Sequence, residues 1–246
     1  MKPTRFLIAV AAVALSAGCN GESGTNSNGA PSGPAQTVAP PAGQTWDQVV
    51  TKTPEGGFLM GNPEAPVKVI EFGSMTCPHC AEFADETDEL VNDYVKTGQV
   101  SFEFRNYVRD GLDIAMSLVA RCGGPERFFP LTDALFTSQR DLFEKAQSAP
   151  PEQQQSLAQT PQGYAQLAGL QQWAAQRGLP AARTNACLAD QGEIDQLVQM
   201  NADAIQQYSV QGTPSFVING ALADAPTGGQ SNWESLEPQI RDALGS

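Results

Sequence analysis

Two cysteines separated by two residues, Cys77 and Cys80, are the residues of this 246-residue chain best suited to chemistry. Pro78 and His79 lie between them. Thiols at this spacing can form and break a disulfide, and the thiolate is the form that reacts. His79, the only histidine of the chain, can add a positive charge or a hydrogen bond. We therefore interpret residues 77–80 as a redox-active motif in which all four residues take part.

The elements that position this pair can be predicted from its neighbours. The apolar run 67–72 predicts a buried strand, and apolar residues recur at helical spacing across 83–95. Cys77 then lies where the strand ends and the helix begins, and Pro78 fits the first helical turn, because its missing N–H would have no partner there. Free N–H groups and the helix dipole stabilise a thiolate at this position, so we expect a lowered pKa for Cys77.

Three other interpretations of Cys77 and Cys80 compete with redox chemistry. Half of a zinc site would need a second cysteine pair at similar spacing, which the sequence lacks. Attached haem would need a histidine directly after Cys80, where Ala81 stands. A purely structural disulfide across so short a loop would be strained. We therefore expect no metal, and no cofactor beyond the redox-active disulfide itself.

The N-terminal residues predict export. The apolar run 6–15 follows a short basic start and is too short to span a bilayer. Ala17, Gly18 and Cys19 then resemble the lipobox of bacterial lipoproteins, in which the cysteine after the cleavage site carries the lipid. We expect residues 1–18 to be a signal peptide and Cys19 to be the lipidation site. An ordinary secretory signal cut near Ala17 is the alternative, and disulfides are permitted in both cases.

The remaining cysteines, Cys122 and Cys187, have only each other as partners if the redox pair is local. We expect them to form a structural disulfide between two helices. The alternative is a thiol pair that tunes or regulates the redox site.

Composition divides the exported chain into a linker and one domain. Residues 19–45 are rich in Gly, Ser, Asn, Pro and Ala, which predicts a flexible linker, and 46–246 can form one domain with its own core. The whole chain has 14 basic and 27 acidic residues and a net charge of −13. Because such a surface repels nucleic acid and shows no basic patch, we expect no nucleic-acid partner. We expect a monomer.

Strand patterns lie on both sides of a long helical stretch. Between 111 and 208 helical periodicity dominates, and Pro150-Pro151 with the Gln-rich run behind it is expected to be the widest loop. Asn219-Gly220 predicts a hairpin turn. The predicted strands are 46–50 at an edge, 58–60, 67–72, 100–107, 215–218 and 221–222. The predicted helices after the redox helix are 114–119, 126–145, 162–177, 181–189, 193–208 and 233–244.

The segment Gly212-Thr213-Pro214, near the C-terminal end of the chain, adds a motif that is typical of one protein family. Together with the motif at 77–80 and the helical insertion, it resembles the DsbA-type thiol:disulfide oxidoreductases of the thioredoxin superfamily. The resemblance covers residues 46–246 and implies an α/β class: a thioredoxin fold with an α-helical subdomain inserted at about 111–208. It implies that Pro214 is cis beside the disulfide and that Thr213 pairs with an extended substrate chain.

The resemblance also assigns roles around the motif. Glu71 would be buried under the disulfide and help to move protons, although alternation along its strand also permits a solvent-facing position. The aromatic residues that the family has before the motif are replaced here by 73–76, so the substrate groove is expected to differ. We expect Met75 and Thr76 to contact substrate there, beside Thr213 and Pro214.

The function implied is donation of the Cys77–Cys80 disulfide to reduced exported proteins, through a mixed disulfide at Cys77. A quinone-coupled membrane protein would then reoxidise the pair. The location implied is the periplasm, with a lipid at Cys19 as the only attachment to a membrane. A reductase or isomerase on the same fold is one alternative. A lipid-anchored chaperone or binding module with a structural cysteine pair is another, and a metal-binding role is a third.

Overall fold

Six strands form one mixed sheet around which the fold is built. The computed structural model describes residues 38–225 and 232–245, all within the unit Ala35–Ser246. The strands are β1 (Val50–Lys52), β2 (Phe58–Gly61), β3 (Val67–Gly73), β4 (Val100–Asn106), β5 (Ser215–Ile218) and β6 (Ala221–Leu222). Their order across the sheet is β1-β2-β4-β3-β5-β6.

The central strands β3 and β4 run parallel, and every other neighbouring pair is antiparallel. Parallel strands need a crossover, which α1 (Pro78–Glu89) and the wider π-type turns of Leu90–Val95 provide. Gly98, at φ +77°, then turns the chain into β4. The redox motif therefore follows directly from a strand in the middle of the sheet.

Eight helices separate β4 from β5 in the described chain, and one helix closes it. They begin and end as follows: α2 (Gly111–Cys122), α3 (Pro125–Thr137), α4 (Gln139–Ser148), α5 (Pro151–Leu157), α6 (Pro161–Ala168), α7 (Leu170–Gln176), α8 (Ala181–Leu188), α9 (Gln191–Tyr208) and α10 (Trp233–Leu244). Polar side chains cap several of them. Asp110, for example, accepts a hydrogen bond from the Asp113 N–H at the start of α2.

Aromatic contacts join the helices to the sheet. Phe58 of β2 stacks on Phe128 of α3 with ring centroids 3.9 Å apart. On the other side of the site, Phe83 of α1 lies 4.5 Å from Phe216 of β5. Because these rings are almost fully buried, the insertion and the sheet share one hydrophobic core.

A disulfide joins the end of α2 to α8. Cys122 and Cys187 are bonded, with Cα atoms 5.8 Å apart and a sequence separation of 65. It closes a long loop inside the insertion, which limits the freedom of the unfolded chain.

The predicted edge strand at 46–50 is wrong in its first half. Trp46–Gln48 form a short 3-10 turn, and only Val50 begins a strand. The side chain of Gln48 accepts a hydrogen bond from the Thr45 N–H, which favours the turn. Trp46 packs so closely over Gly98 that a Cβ there would lie 2.6 Å from its Nε1.

The predicted loop after Pro150 is also wrong, because Pro151 begins helix α5. Proline at the first helical position is favourable, and the glutamines that follow have good helix propensity. Two long predicted helices are each divided: Ser138 separates α3 from α4, and Gly169, at φ +71°, separates α6 from α7.

Candidate active site

Cys77 is the residue that immediately precedes α1. Its backbone is extended, with φ −89° and ψ 120°, and Pro78 occupies the first turn. The N–H of Cys77 donates to the Ser74 carbonyl at 3.1 Å, which closes a tight turn after β3. The sulfur is therefore held at a helix start, where backbone N–H groups lack helical partners. Cys77 is 3% exposed and Cys80 is fully buried, and both are free thiols.

The surroundings lower the pKa of Cys77 from 9.0 to about 5. The largest cause is a hydrogen bond with the Cys80 side chain, which favours the thiolate. Burial acts in the opposite direction. The Thr213 side chain and the backbone of Cys80 and His79 lower the pKa further. At neutral pH the Cys77 sulfur is therefore mainly a thiolate.

Thr213 acts on Cys77 in two opposite ways. The Thr213–Pro214 bond is cis, and the Thr213 carbonyl oxygen lies 3.2 Å from the Cys77 sulfur. A carbonyl can only accept, so this contact favours the protonated thiol, whereas the Thr213 side chain favours the thiolate. Because the pKa remains about 5, the thiolate dominates. The carbonyl is then free to accept from another donor.

Cys80 is tuned in the opposite direction to Cys77. Burial raises its pKa well above 9.0, and the hydrogen bond with Cys77 and the charge of Glu71 raise it further. The Ser74 N–H donates to the Cys80 sulfur at 3.4 Å and partly opposes this shift. One thiol of the pair is therefore ionised at neutral pH and the other keeps its proton.

Glu71 is a buried acid that interacts electrostatically with both sulfurs. It is 3% exposed, so the solvent-facing alternative is wrong. Its Oε1 has no hydrogen-bond partner among the residues that the structure describes. Burial raises its pKa well above 4.5, and the charges of Cys77 and Asp133 raise it further. Glu71 can therefore carry a proton near the thiol pair.

Asp113 of α2 holds the loop before Cys77, although no sequence pattern singled it out. Its carboxylate is fully buried and accepts from the Ser74 hydroxyl at 2.5 Å and from the N–H groups of Met75 and Arg109, both at 2.9 Å. Burial raises its pKa to about 7, against the lowering effect of these donors. In the sequence, Asp113 stood only directly before the predicted helix 114–119, whereas the structure begins this helix at Gly111.

Gln139 of α4 holds the same loop from another side. Its Nε2 donates to the carbonyl oxygens of Met75 and Cys77, both at 2.9 Å. A single glutamine, 62 positions beyond Cys77, carries no pattern from which this contact could be predicted.

Two openings lie near the motif. Cys77 itself lines a polar groove of about 670 Å³, and its neighbours Thr76 and Pro78 line a mainly apolar pocket of about 280 Å³. The groove is lined by Cys77, Pro78, His79, Tyr107, Val108, Arg109, Asn201, Gln211, Gly212 and Thr213. The pocket is lined by Thr76, Pro78, Leu112, Met116, Gln139, Arg140 and Phe143.

A reactive thiolate, a buried partner thiol and an adjacent cis-proline form the geometry of the site. The family model described as thioredoxin matches residues 53–242. The chain belongs to the thioredoxin family. Its helical insertion gives it the DsbA-like form of the thioredoxin fold, which confirms the predicted fold class.

Solved structures resemble this thioredoxin-family chain over most of their length. A protein-disulfide isomerase from Novosphingobium aromaticivorans is 34% identical, with a TM-score of 0.69, over 76% of this chain and 97% of that one. The alpha-DsbA1 of Wolbachia pipientis is 23% identical, with a TM-score of 0.59, over 76% and 90% of the two chains. At 23% identity, the similarity to the Wolbachia protein shows a shared fold and nothing further.

A protein of Rickettsia bellii (strain RML369-C), assigned by name as a protein-disulfide oxidoreductase, is 25% identical over 178 residues. The match includes 72% of this chain, which spans 62% of the length of that relative.

One of the predicted site residues is placed differently from expectation, and contacts of two others can be added. Met75 is fully buried, so the expected substrate contact of its side chain is wrong, and only its backbone takes part in the site. The Nδ1 of His79 lies 2.8 Å from a carboxylate oxygen of Glu82, and His79 lines the polar groove together with Cys77. Thr76 borders the apolar pocket and donates to Asp110 at 3.0 Å.

Within residues 38–225 and 232–245, no group of three or more His, Cys, Asp or Glu could hold a metal ion. In the same part of the chain, no helix has both the length and the apolar character needed to cross a membrane. The predicted signal peptide 1–18, the lipidation site Cys19 and most of the predicted linker 19–45 lie outside the described residues.

Proposed function

We propose that this protein is a thiol:disulfide oxidase that donates its Cys77–Cys80 disulfide to reduced exported proteins. The observation that carries the proposal is the opposed ionisation of the two sulfurs. The pKa of Cys77 falls to about 5, whereas that of Cys80 rises well above 9.0. A low-pKa sulfur is a good leaving group, and its stable thiolate favours the reduced form of the pair.

The reaction has two exchange steps. A substrate thiolate forms a bond with the Cys77 sulfur, the Cys77–Cys80 bond breaks, and Cys80 leaves as a thiolate that takes up a proton. The second substrate thiolate then attacks the substrate sulfur in the mixed disulfide, and Cys77 leaves as a thiolate. Two electrons pass from the substrate to the pair. Of the two thiol protons, one stays on Cys80 and one is released, with Glu71 as the buried group able to carry it.

The shifted pKa has a measurable energetic consequence. Lowering the pKa of Cys77 from 9.0 to about 5 would stabilise the reduced protein at pH 7 by about 2.7 kcal/mol without screening. Because the sulfur borders an open groove, we reduce this to about 2 kcal/mol. For a two-electron couple, that makes the pair more oxidising by about 40 mV.

Thr213 supports the binding of an extended substrate beside Cys77. Its carbonyl oxygen lies 3.2 Å from the sulfur, where it can accept an N–H from a substrate chain as an added strand would. Substrate cysteines would then meet Cys77 at the mouth of the polar groove. We further propose that the protein acts in the periplasm, anchored by a lipid at Cys19, as a monomer. A quinone-coupled membrane reoxidase would restore the disulfide.

An isomerase or reductase is the second candidate. The similar protein from Novosphingobium aromaticivorans is named a protein-disulfide isomerase. Isomerases attack with the reduced pair, and the Cys77 thiolate would serve that reaction as well. A chaperone or binding module with a structural cysteine pair is the third candidate, and it predicts no exchange with substrates at all.

The reduction potential of the Cys77–Cys80 pair separates a disulfide donor from a reductase. The domain would be equilibrated in glutathione buffers, trapped with acid and alkylated, with Cys122–Cys187 checked by mass spectrometry. A potential of about −120 to −180 mV supports the oxidase, and about −270 mV supports a reductant. The Cys77→Ser variant is the control, and equal oxidation of a two-cysteine peptide by this variant would favour the binding module.

A further inference from the structure

The proposed exchange leaves one sulfur without an assigned stabilising group. When substrate attacks Cys77, the electron pair of the breaking bond moves to Cys80. This sulfur is fully buried and lies near the acid Glu71, so a negative charge on it is unfavourable. A donor placed at Cys80 would lower the barrier of this step.

The Ser74 N–H is such a donor. It lies 3.4 Å from the Cys80 sulfur, within the distance expected for a sulfur acceptor, and it comes from the turn that ends β3. A backbone donor is useful here only if its peptide group is held in place, since a loop that rotates would move the N–H away from the sulfur.

Asp113 provides that restraint. Its Oδ2 accepts the Ser74 hydroxyl at 2.5 Å and its Oδ1 accepts the next N–H, that of Met75, at 2.9 Å. The Ser74 hydroxyl oxygen also accepts from the Thr76 N–H at 3.2 Å. One fully buried carboxylate therefore fixes the turn at the Ser74 side chain and at the backbone N–H that follows it.

The carboxylate is itself fixed to the insertion. It accepts from the Arg109 N–H at 2.9 Å and from the Ser117 hydroxyl at 3.3 Å, and it lies in the first turn of α2. Four donors therefore converge on a group that contacts neither sulfur. Two of these donors, the Ser74 hydroxyl and the Met75 N–H, belong to the turn whose Ser74 N–H reaches the Cys80 sulfur, so Asp113 is connected to the chemistry through this turn.

We infer that Asp113 is a positioning residue for the exchange reaction, which holds the Ser74 N–H against Cys80 while that sulfur leaves as a thiolate. The inference rests on the proposed exchange at Cys77–Cys80, in either direction. In the reverse direction, the same donor stabilises the Cys80 thiolate when it attacks the mixed disulfide.

The test compares two reactions of Asp113→Asn and Ser74→Ala. In the first, the oxidised protein is attacked by a dithiol peptide and Cys80 is the leaving group. We expect both variants to react about tenfold more slowly than wild type, as loss of a charge-assisted hydrogen bond predicts. In the second, each change is made in a Cys80→Ala background, and reduced Cys77 attacks an aromatic disulfide. We expect no change in that rate.

The matched control is Asp242→Asn, which makes the same change at an exposed acid of α10 and should react as wild type does. Wild-type rates for both site variants in the first reaction would overturn the inference. Equal slowing in both reactions would overturn it as well, since Asp113 would then act on Cys77 or on the whole loop. Should Asp113→Asn fail to fold, Ser74→Ala alone decides. If wild type itself does not exchange with the peptide, the proposed function fails instead.

Discussion

Replacing Cys80 with alanine should raise the pKa of Cys77 more than any other single change at the site. The Cys80 side chain makes the largest favourable contribution to the lowered value of about 5. A hydrogen bond to a charged group is worth about 1.5–3 kcal/mol, which corresponds to about one to two pKa units. A thiol is a weak donor, so the loss of its hydrogen bond should lie at the lower end of this energy range. We therefore expect the pKa of Cys77 in the variant to lie between about 6 and 7.

The assay is the rate of alkylation of Cys77 by iodoacetamide as a function of pH, with the labelled site identified by mass spectrometry. Only the thiolate reacts, so the midpoint of the profile reports the pKa. Thr213→Val is the graded comparison, because it removes a smaller favourable contact and should raise the pKa by less. A double alanine variant of Cys122 and Cys187 is the control, because it removes sulfur atoms outside the site.

The outcome separates two sources of thiolate stability. If the Cys80→Ala variant keeps a midpoint near that of wild type, the helix start and Thr213 stabilise the Cys77 thiolate without Cys80, and our assignment to Cys80 is refuted. A wild-type midpoint near the ordinary thiol value would refute the lowered pKa itself, and with it the basis for an oxidising pair. A larger shift for Thr213→Val than for Cys80→Ala would reverse the order of causes.

Three further changes test the remaining features. Glu71→Met should raise the free energy of unfolding at pH 7 by about 2 kcal/mol, because it removes a buried acid with an unsatisfied oxygen, and urea unfolding checks this. Replacing Cys122 and Cys187 with alanine should lower that free energy by about 4 kcal/mol in the chain-entropy view, and it should leave peptide oxidation by Cys77 in place. Because the folded pKa of Cys77 is depressed from 9.0 to about 5, the unfolded chain binds the extra proton between those values. The free energy of unfolding of the reduced form, relative to that of the oxidised form, should therefore rise from about pH 5 to pH 9 and fall on acidification. Urea unfolding of both forms at several pH values measures this difference, and a difference that does not change with pH would contradict the prediction.

The motif could be predicted from sequence because its signals are local. A strand pattern, a cysteine pair and a proline at the first helical turn are adjacent in the chain, so Cys77 could be placed at a helix start without any tertiary information. The boundary of α10 at Trp233–Leu244 was predicted for the same reason. Pro151 shows the limit of prediction from local signals. Proline is typical of loops but is also favoured at the first position of a helix, and only the residues after it decide which of the two structures forms.

Long-range contacts could not be predicted in this way. Met75 was expected to contact substrate because it precedes the motif, yet the turn that brings its N–H to Asp113 directs its side chain into the core. Gln139 reaches the Cys77 carbonyl across 62 positions of sequence. No periodicity encodes such a contact, since it depends on where the fold places the start of α4 relative to the segment before α1.

Under the proposed exchange, we expect the insertion to contribute to the chemistry as well as to the walls of the site. The strands and α1 supply the reacting groups, Cys77, Cys80 and Glu71, and these would be present in a thioredoxin fold without the extra helices. The turn that aims the donor at Cys80, however, is held by Asp113 from α2 and by Gln139 from α4. Because both contacts are made to the segment between β3 and α1, any change in the packing of the insertion would move the sulfurs relative to their donors. If the proposed exchange takes place, we expect its rate to depend on both halves of the domain, even though both sulfurs lie in one of them.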